Sequence, residues 1–245
     1  GGGREGSRRE QQGNKDNGRA ELRHVISCSK RRKPWKIRFR QDSTKCTEHS
    51  TMSANDQDDL DFRKALRRDM IAARMALPDA EHHARSAAIR QRLDSAFPEL
   101  ARSIVAFCWP VQSEPDVGPL MAELIARGSR VALPVVVRPD EPLAFREWWP
   151  DQPLEPDRYD IPTPTDGAFL VPNVLLLPVN AFDDAGYRIG YGGGFFDRTL
   201  AALSPRPLAI GLGFDFQRVA NTRPQAHDLP LDVVVTESML LRPRG

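Results

Sequence analysis

Lysine is nearly missing from the body of this 245-residue chain: five of its six lysines precede Met52, and Lys64 is the sixth. Cysteine is scarce too. Cys28, Cys46 and Cys108 are odd in number and lack the paired spacing of a metal site or a disulfide framework. No apolar run reaches about 18 residues, and no charged-then-apolar leader with a small-residue cleavage site is present, which argues against a helical membrane span and a secretory signal. A reducing, cytoplasmic setting is therefore expected. No Gly-Lys-Ser/Thr of a phosphate-binding Walker loop occurs, and no internal repeat is visible. What is present is the composition of an ordinary globular chain, 40% hydrophobic and 28% charged.

The net charge of +2 hides an asymmetry. Residues 1–52 carry 14 Lys+Arg against 6 Asp+Glu, leaving 21 of the 35 basic and 27 of the 33 acidic residues for the remainder. Residues 1–55 show no period of 3.6 or 2 and hold few aliphatic residues, so they are expected to form a basic, disordered extension ahead of a domain at 56–245. Met52 is the first methionine, and the working chain is expected to begin near it. The stretch "SKRRKPWKIRFR" reads as a charged tail, with a nucleic-acid-binding arm as the competing reading. The acidic remainder argues against nucleic acid on the folded part.

From residue 58 on, the chain alternates. "DDLDFRKALRRDMIAARMAL" has helical spacing with one apolar and one basic stripe, an Asp58 or Asp59 cap and a stop at Pro78. A second helix spans "PDAEHHARSAAIRQRLDSAF". Strands are expected in "SIVAFCWPV", "RVALPVVV", "PLAFREWW", "NVLLLPVNAF", "PLAIGLGF" and "DVVVTES", with helices in "DVGPLMAELIARG" and "GFFDRTLAAL". Near-continuous apolar strands alternating with helices predict an α/β fold, a layered and mostly parallel sheet buried on both faces. Two proline-rich stretches, 138–143 and 150–164, read as loops.

Five of the 17 glycines fall within the nine residues from Gly186 to Gly194, after a strand and before a helix. Ligands of open α/β sheets bind at such strand-to-helix turns. Glycines 190, 192, 193 and 194 allow consecutive N–H groups to form a nest for phosphate, with Arg188 before it and Asp197 behind it. A dinucleotide fingerprint starting at Gly190 fails, because Phe195 stands where glycine is required.

Taken whole, "DDAGYRIGYGGGFFDR" resembles the signature of the 5-formyltetrahydrofolate cyclo-ligase family, which reads Arg-Leu-Gly-Tyr-Gly-Gly-Gly-Tyr-Tyr-Asp after an Asp and a Gly. The match covers Asp183 or Asp184, Gly186, Arg188, Gly190 to Gly194 and Asp197; Ile189, Phe195 and Phe196 depart from the pattern. Three more segments are similar in order, so the resemblance spans about residues 58–240. "RKALR" reproduces a basic Lys-x-x-Leu-Arg motif with Arg63 in the lysine slot, Lys64 one position off, and Arg67. "CWPVQSEPDVGPL" supplies Glu114, and "HDLPLDVVVTE" supplies Asp232. "YDIPTP" stands where the family carries Ile-Pro-x-Pro or Ile-Pro-Glu-Pro, with Thr163 in the acidic slot.

The resemblance implies a Rossmann-like sheet of the kind also found in sugar-phosphate isomerases and CoA-transferases. It implies closure of 5-formyltetrahydrofolate to 5,10-methenyltetrahydrofolate with ATP as co-substrate and magnesium as cofactor, through phosphorylation of the formyl oxygen. Polyglutamylated folates fall within the implied substrate class. Carried over by motif, ATP falls to Arg63, Lys64, Arg67, Arg188, Gly190, Gly192, Gly193, Gly194, Phe195 and Phe196. Folate falls to Glu114, Tyr191, Phe195 and glycines 192 to 194, catalysis to Arg188 and Tyr191, and magnesium to Asp197 and Asp232. Trp109 and Trp148 read either as pterin-lining or as core. Cys108, within an apolar strand, reads as a buried small hydrophobe. No covalent nucleophile is required, and the sequence offers neither a nucleophile elbow nor a Ser-His-Asp order.

Overall fold

Residues 54–243, together with Gly1 and Gly2, are described by the computed structural model. The extension assigned to residues 1–55 otherwise lies outside the described residues. Ala54 and Asn55 already belong to the first helix, so that helix starts ahead of the expected Asp58 or Asp59 cap.

The helices are α1 (Ala54–Met75), α2 (Asp79–Ala96), α3 (Gly118–Ala126) and α4 (Phe195–Ala202). The strands, in chain order, are β1 (Ile104–Phe107), β2 (Arg130–Val135), β3 (Ala144–Trp148), β4 (Leu154–Pro156), β5 (Pro162–Pro164) and β6 (Val174–Pro178). After them come β7 (Ala181–Phe182), β8 (Arg188–Ile189), β9 (Leu208–Leu212), β10 (Val233–Val235) and β11 (Leu240–Leu241).

A seven-stranded sheet runs in the order β11-β10-β9-β6-β1-β2-β3. The inner pairs β2–β1, β1–β6, β6–β9 and β9–β10 are parallel. Both edge pairs, β2–β3 and β10–β11, are antiparallel. The reason is connection length, since residues 136–143 and 236–239 are shorter than the dozen or so residues a parallel crossover needs.

Near-continuous apolar strands arise because successive side chains enter different cores. Val105, Phe107, Val131, Leu133, Leu176, Ile210 and Val235 face one core with Leu93 of α2 and Leu124 of α3. Ala106, Ala132, Leu175, Leu177, Ala209 and Val234 face a second core with Leu200 of α4. The period of two places one residue in each core, so neither face can be polar.

The proline-rich segment 150–164 is not purely loop, because β4 and β5 pair there as a small antiparallel ribbon. "NVLLLPVNAF" is likewise not one strand. It breaks after β6, and β7 turns back through Gly186 to pair with β8, a hairpin that delivers the glycine-rich loop.

Asn180, at that break, is 1% exposed, and neither of its amide atoms has a hydrogen-bond partner among the described residues. Leaving a buried polar group unpaired costs about 1–3 kcal/mol. Asn180→Leu, close in volume, is therefore expected to raise the thermal unfolding midpoint by roughly 2–12 °C in a domain of this size. A fall in the midpoint would show that the amide is satisfied in solution.

Candidate active site at the switch point of the sheet

Strand order reverses between β1 and β6: from β1 the chain moves outward to β2 and β3, then returns to β1's other side and continues through β9 and β10. Loops leaving adjacent strands on either side of such a point diverge and open a crevice at the strand carboxyl ends. The loop after β1 carries Glu114, and the segment after β6 carries the glycine-rich turn. Tyr191 closes the gap by donating from its hydroxyl to Glu114 Oε1 at 2.6 Å.

Gly192 (φ +92°) and Gly194 (φ +62°) occupy the left-handed region with Gly193 outside it, the alternation that turns successive N–H groups to one side. Gly194 is also the cap residue of α4, so the nest opens at a helix amino terminus. Two arginines flank it. Arg67, from α1, donates from Nε to the Gly190 carbonyl at 2.6 Å, and its guanidinium would lie 3.4 Å from a Cβ at Gly192. Arg198, from α4, donates to the Gly193 carbonyl at 2.7 Å and would meet a Cβ at Gly194 at 2.8 Å. Burial, and next the neighbouring Arg63, disfavour the Arg67 charge, a penalty that a bound anion relieves.

Beneath the nest lies a buried polar group of three. Arg74, fully buried on α1, donates from Nη2 to the Tyr191 hydroxyl at 2.9 Å and from Nε to the Gln112 carbonyl at 2.8 Å. Glu114 Oε2 accepts the Val111 N–H at 3.0 Å. Burial pushes the Glu114 carboxyl above its usual range, opposed first by Arg74 and then by the Tyr191 hydroxyl and the Val111 amide. Burial also raises the Tyr191 hydroxyl, with the Glu114 charge acting in the same direction.

Behind the nest, Arg188 and Asp197 form a pair at 2.9 Å, mostly out of solvent. Arg188 also donates to the Leu229 carbonyl, and Asp197 Oδ1 accepts the Leu229 N–H, so the pair straps the 222–232 segment against α4. Arg188 thus grips that segment directly behind the nest. Asp183 completes the strap by accepting both the N–H and the hydroxyl of Thr222.

Asp232, which the family resemblance gives to magnesium, is held by other groups here. It precedes β10, and its two oxygens are occupied by Arg206 at 2.6 Å and by the N–H of Ala209 in β9 at 2.7 Å. Through these contacts Asp232 caps the starts of β9 and β10, while Leu229, three residues before it, bonds Asp197. Among the described residues no group of three or more His, Cys, Asp or Glu could hold an ion by itself. Asp197 accepts from Arg188 and from the Leu229 N–H, both on Oδ1; its other oxygen suits magnesium that takes most of its ligands from a nucleotide and water.

Arg63 and Lys64 take different roles. Arg63 pairs with Asp228 at 2.8 Å and donates to the carbonyl of Arg223, holding the strap beside Arg67. Lys64 points away with Asp61, an exposed pair. Lys64→Ala is accordingly expected to leave the Michaelis constant of any phosphate-bearing substrate within about twofold of the parent, because exposed pairs contribute little. Steady-state kinetics check this, and a tenfold rise would return Lys64 to the site.

Phe195 stays at the nest, where its ring meets the Tyr159 ring edge-on at 5.9 Å and carries the Arg198 guanidinium at 5.1 Å. Tyr159 opens "YDIPTP", so that segment does reach the glycine loop. Phe196 packs instead against the second core, which includes Phe145 and Leu175. Trp148 is core, edge-on to Phe107 and Trp109. The Cys108 thiol is held well above its usual range by burial, with Glu114 adding to the shift.

Sequence reasoning missed Arg74 and Arg198. Arg198 had a local signal, standing directly after the signature Asp. Arg74 had none beyond its place on the basic stripe, since its partners lie 38 and 117 residues away.

Comparison with known proteins bears on the family and the fold. A family model described as the 5-formyltetrahydrofolate cyclo-ligase family matches residues 60–237. The chain is 35% identical over 149 residues to 5-formyltetrahydrofolate cyclo-ligase of Escherichia coli, covering 58% of this chain and 81% of that protein. It is 30% identical over 186 residues to the protein of the same name from Mycolicibacterium smegmatis, covering 71% and 93%. Among solved structures, 5,10-methenyltetrahydrofolate synthetase of Aquifex aeolicus is similar with a TM-score of 0.66 at 28% identity, over 75% of this chain and 94% of that one. The synthetase of Mycoplasma pneumoniae shares the fold, with a TM-score of 0.60 at 22% identity, over 72% and 99%.

Proposed function

Because the chain belongs to the 5-formyltetrahydrofolate cyclo-ligase family, we propose that it closes 5-formyltetrahydrofolate to 5,10-methenyltetrahydrofolate in an ATP- and magnesium-dependent reaction. One observation carries the reading of the site: Arg67 bonds Gly190 at 2.6 Å while Tyr191, the next residue, bonds Glu114 at 2.6 Å. Three separated motifs thereby meet at the switch point.

A formamide oxygen is a poor leaving group. Transfer of the γ-phosphoryl group of ATP to that oxygen makes it a good one. The neighbouring folate nitrogen then attacks the formyl carbon and gives up its proton to the departing phosphate, the carbon–oxygen bond breaks, and the oxygen leaves within inorganic phosphate, with ADP as the other product.

The nest at Gly192 to Gly194 and the guanidiniums of Arg67 and Arg198 bind and orient the phosphates, whose charge they offset. Asp197 would hold magnesium through Oδ2, and the ion would supply further neutralisation of phosphate charge. Glu114 and Tyr191 orient the folate at the far side of the crevice, where proximity to the γ-phosphate is the main source of rate. Phe195 and Tyr159 line the rim between the two. No helix among the described residues is long and apolar enough to cross a membrane; the reading places the reaction in the cytoplasm, where a reduced Cys108 is expected.

The deciding experiment mixes the full chain with magnesium, ATP and 5-formyltetrahydrofolate and follows the absorbance of methenyltetrahydrofolate. Product formation that requires all three components, with one ADP per product, is the expected result. Hydrolysis of ATP without methenyl product would overturn the reading.

A further inference from the structure

We propose that Arg74 is the positioning residue of this site: from α1 it fixes Glu114 and Tyr191, the two groups that bridge the switch point, in the arrangement presented to folate. The inference rests on the folate reading above and adds a residue to it that does not touch substrate.

Arg74 is fully buried, and its guanidinium reaches three separate segments. Nε donates to the Gln112 carbonyl at 2.8 Å, Nη2 to the Tyr191 hydroxyl at 2.9 Å and Nη1 to the Val179 carbonyl at 3.4 Å, with Nη2 also 3.8 Å from Glu114 Oε1. Those segments are the loop after β1, the end of β6 and the glycine-rich turn. A planar fork of five donors can serve such divergent acceptors; an ammonium on a flexible stem cannot serve them together.

The loop held through Gln112 is strained. Gln112 (φ +49°) and Ser113 (φ +58°) are consecutive residues in the left-handed region, which only glycine enters readily. Strained backbone persists where surrounding contacts over-determine it, and it gathers at functional sites. The Arg74 bond to the Gln112 carbonyl is such a contact, and Glu114 follows two residues later.

Charge gives the second half of the argument. The groups facing Glu114 are Arg74 from α1, Tyr191 from the glycine turn and Cys108 from the end of β1, while His82 of α2 meets its backbone carbonyl at 2.9 Å. Burial favours the protonated acid, and Arg74 is the foremost opposing influence. Removing Arg74 therefore moves Glu114 protonation to higher pH. Any step that needs the carboxylate then loses rate on the acid side first.

The test uses the full chain with Arg74→Met and Arg74→Lys, each also placed in a Glu114→Gln background, and with Tyr191→Phe. Three quantities are read: kcat/KM for 5-formyltetrahydrofolate against pH, KM for ATP, and the infrared carbonyl stretch of a protonated buried carboxyl. Arg74→Met is expected to move the acid limb up by one pH unit or more and lower kcat/KM at neutral pH at least tenfold, with KM for ATP within twofold. Arg74→Lys is expected to keep the acid limb near the parent's while lowering kcat, and Tyr191→Phe to move the limb in the same direction as Arg74→Met by less. In the Glu114→Gln background the Arg74→Met shift disappears.

The infrared band needs no substrate. It is expected at neutral pH in Arg74→Met and absent from its Glu114→Gln double variant, so it tests the coupling even if the parent chain makes no methenyl product, which is the separate failure of the folate reading. An acid limb and an infrared titration unchanged in folded Arg74→Met overturn the proposal, as does a shift that survives Glu114→Gln. If Arg74→Met does not fold, Arg74→Lys and Tyr191→Phe decide: equal loss of ATP and folate affinity, with no pH shift in Tyr191→Phe, makes Arg74 a purely structural residue.

Discussion

Arg67→Ala is expected to raise the Michaelis constant for ATP by roughly 10- to 150-fold, the equivalent of one charge-assisted phosphate contact. The constant for 5-formyltetrahydrofolate is expected to change by no more than about threefold, since that ligand is assigned to the Glu114 side of the crevice. Two observations set this asymmetry. The guanidinium lies against Gly190 and Gly192, the residues that shape the nest. Its charge is also disfavoured by burial and by Arg63, so the protein without nucleotide carries a cost that bound phosphate removes. Initial-rate kinetics with each substrate varied in turn check the result. A parallel rise in both constants would mean that Arg67 maintains the shape of the whole turn rather than contacting ATP.

The second large effect falls on Asp197. Asp197→Ala leaves Arg188 mostly buried without its carboxylate, and breaking a buried pair in this way costs about 3–5 kcal/mol. For a domain of this size the thermal midpoint is expected to fall by roughly 6–20 °C. Asp197→Asn keeps an oxygen for Arg188 and Leu229 and should spare most of that stability. It is still expected to cut turnover by at least about a hundredfold and to raise the magnesium needed for half activity, as loss of a metal carboxylate does.

Asp232→Asn provides the contrast. Its carboxylate is partly exposed and bound to Arg206 and the Ala209 amide, so its effect on turnover is expected to stay within about threefold and to add to that of Asp197→Asn. Strong non-additivity in the double variant would show that Asp232 leaves Arg206 to share one ion with Asp197.

Each element that the sequence made legible had a local cause. Val105 to Phe107, Val174 to Leu177 and Val233 to Val235 read as doubly buried strands because a period of two with apolar residues on both phases leaves no polar face. α2 was legible as the run that follows Pro78, although the helix ends at Ala96, one residue short of the expected Phe97. The glycine-rich turn was legible because Gly192 and Gly194 need positive φ, a requirement written in residue type alone. The ribbon of β4 and β5 was not, since its prolines read as loop, and neither was the hairpin of β7 and β8, whose two-residue strands show no period.

Residue types and their short-range spacing thus determined the α/β class, the core strands, the glycine-rich turn and the family, because backbone preference and burial on a strand are local properties. Tertiary structure alone decided which polar groups meet. Strand order put the β1 loop beside the glycine turn, so that Glu114 and Tyr191 touch across 77 residues, with Arg74 entering from α1 between them. Strand direction set Asp232 at the starts of β9 and β10, where Arg206 and the Ala209 N–H take its oxygens. The physical reason is common to both: a charged side chain's partner is set by the path of the backbone through space and by the desolvation it must offset there, and neither quantity is contained in the residues next to it in the chain.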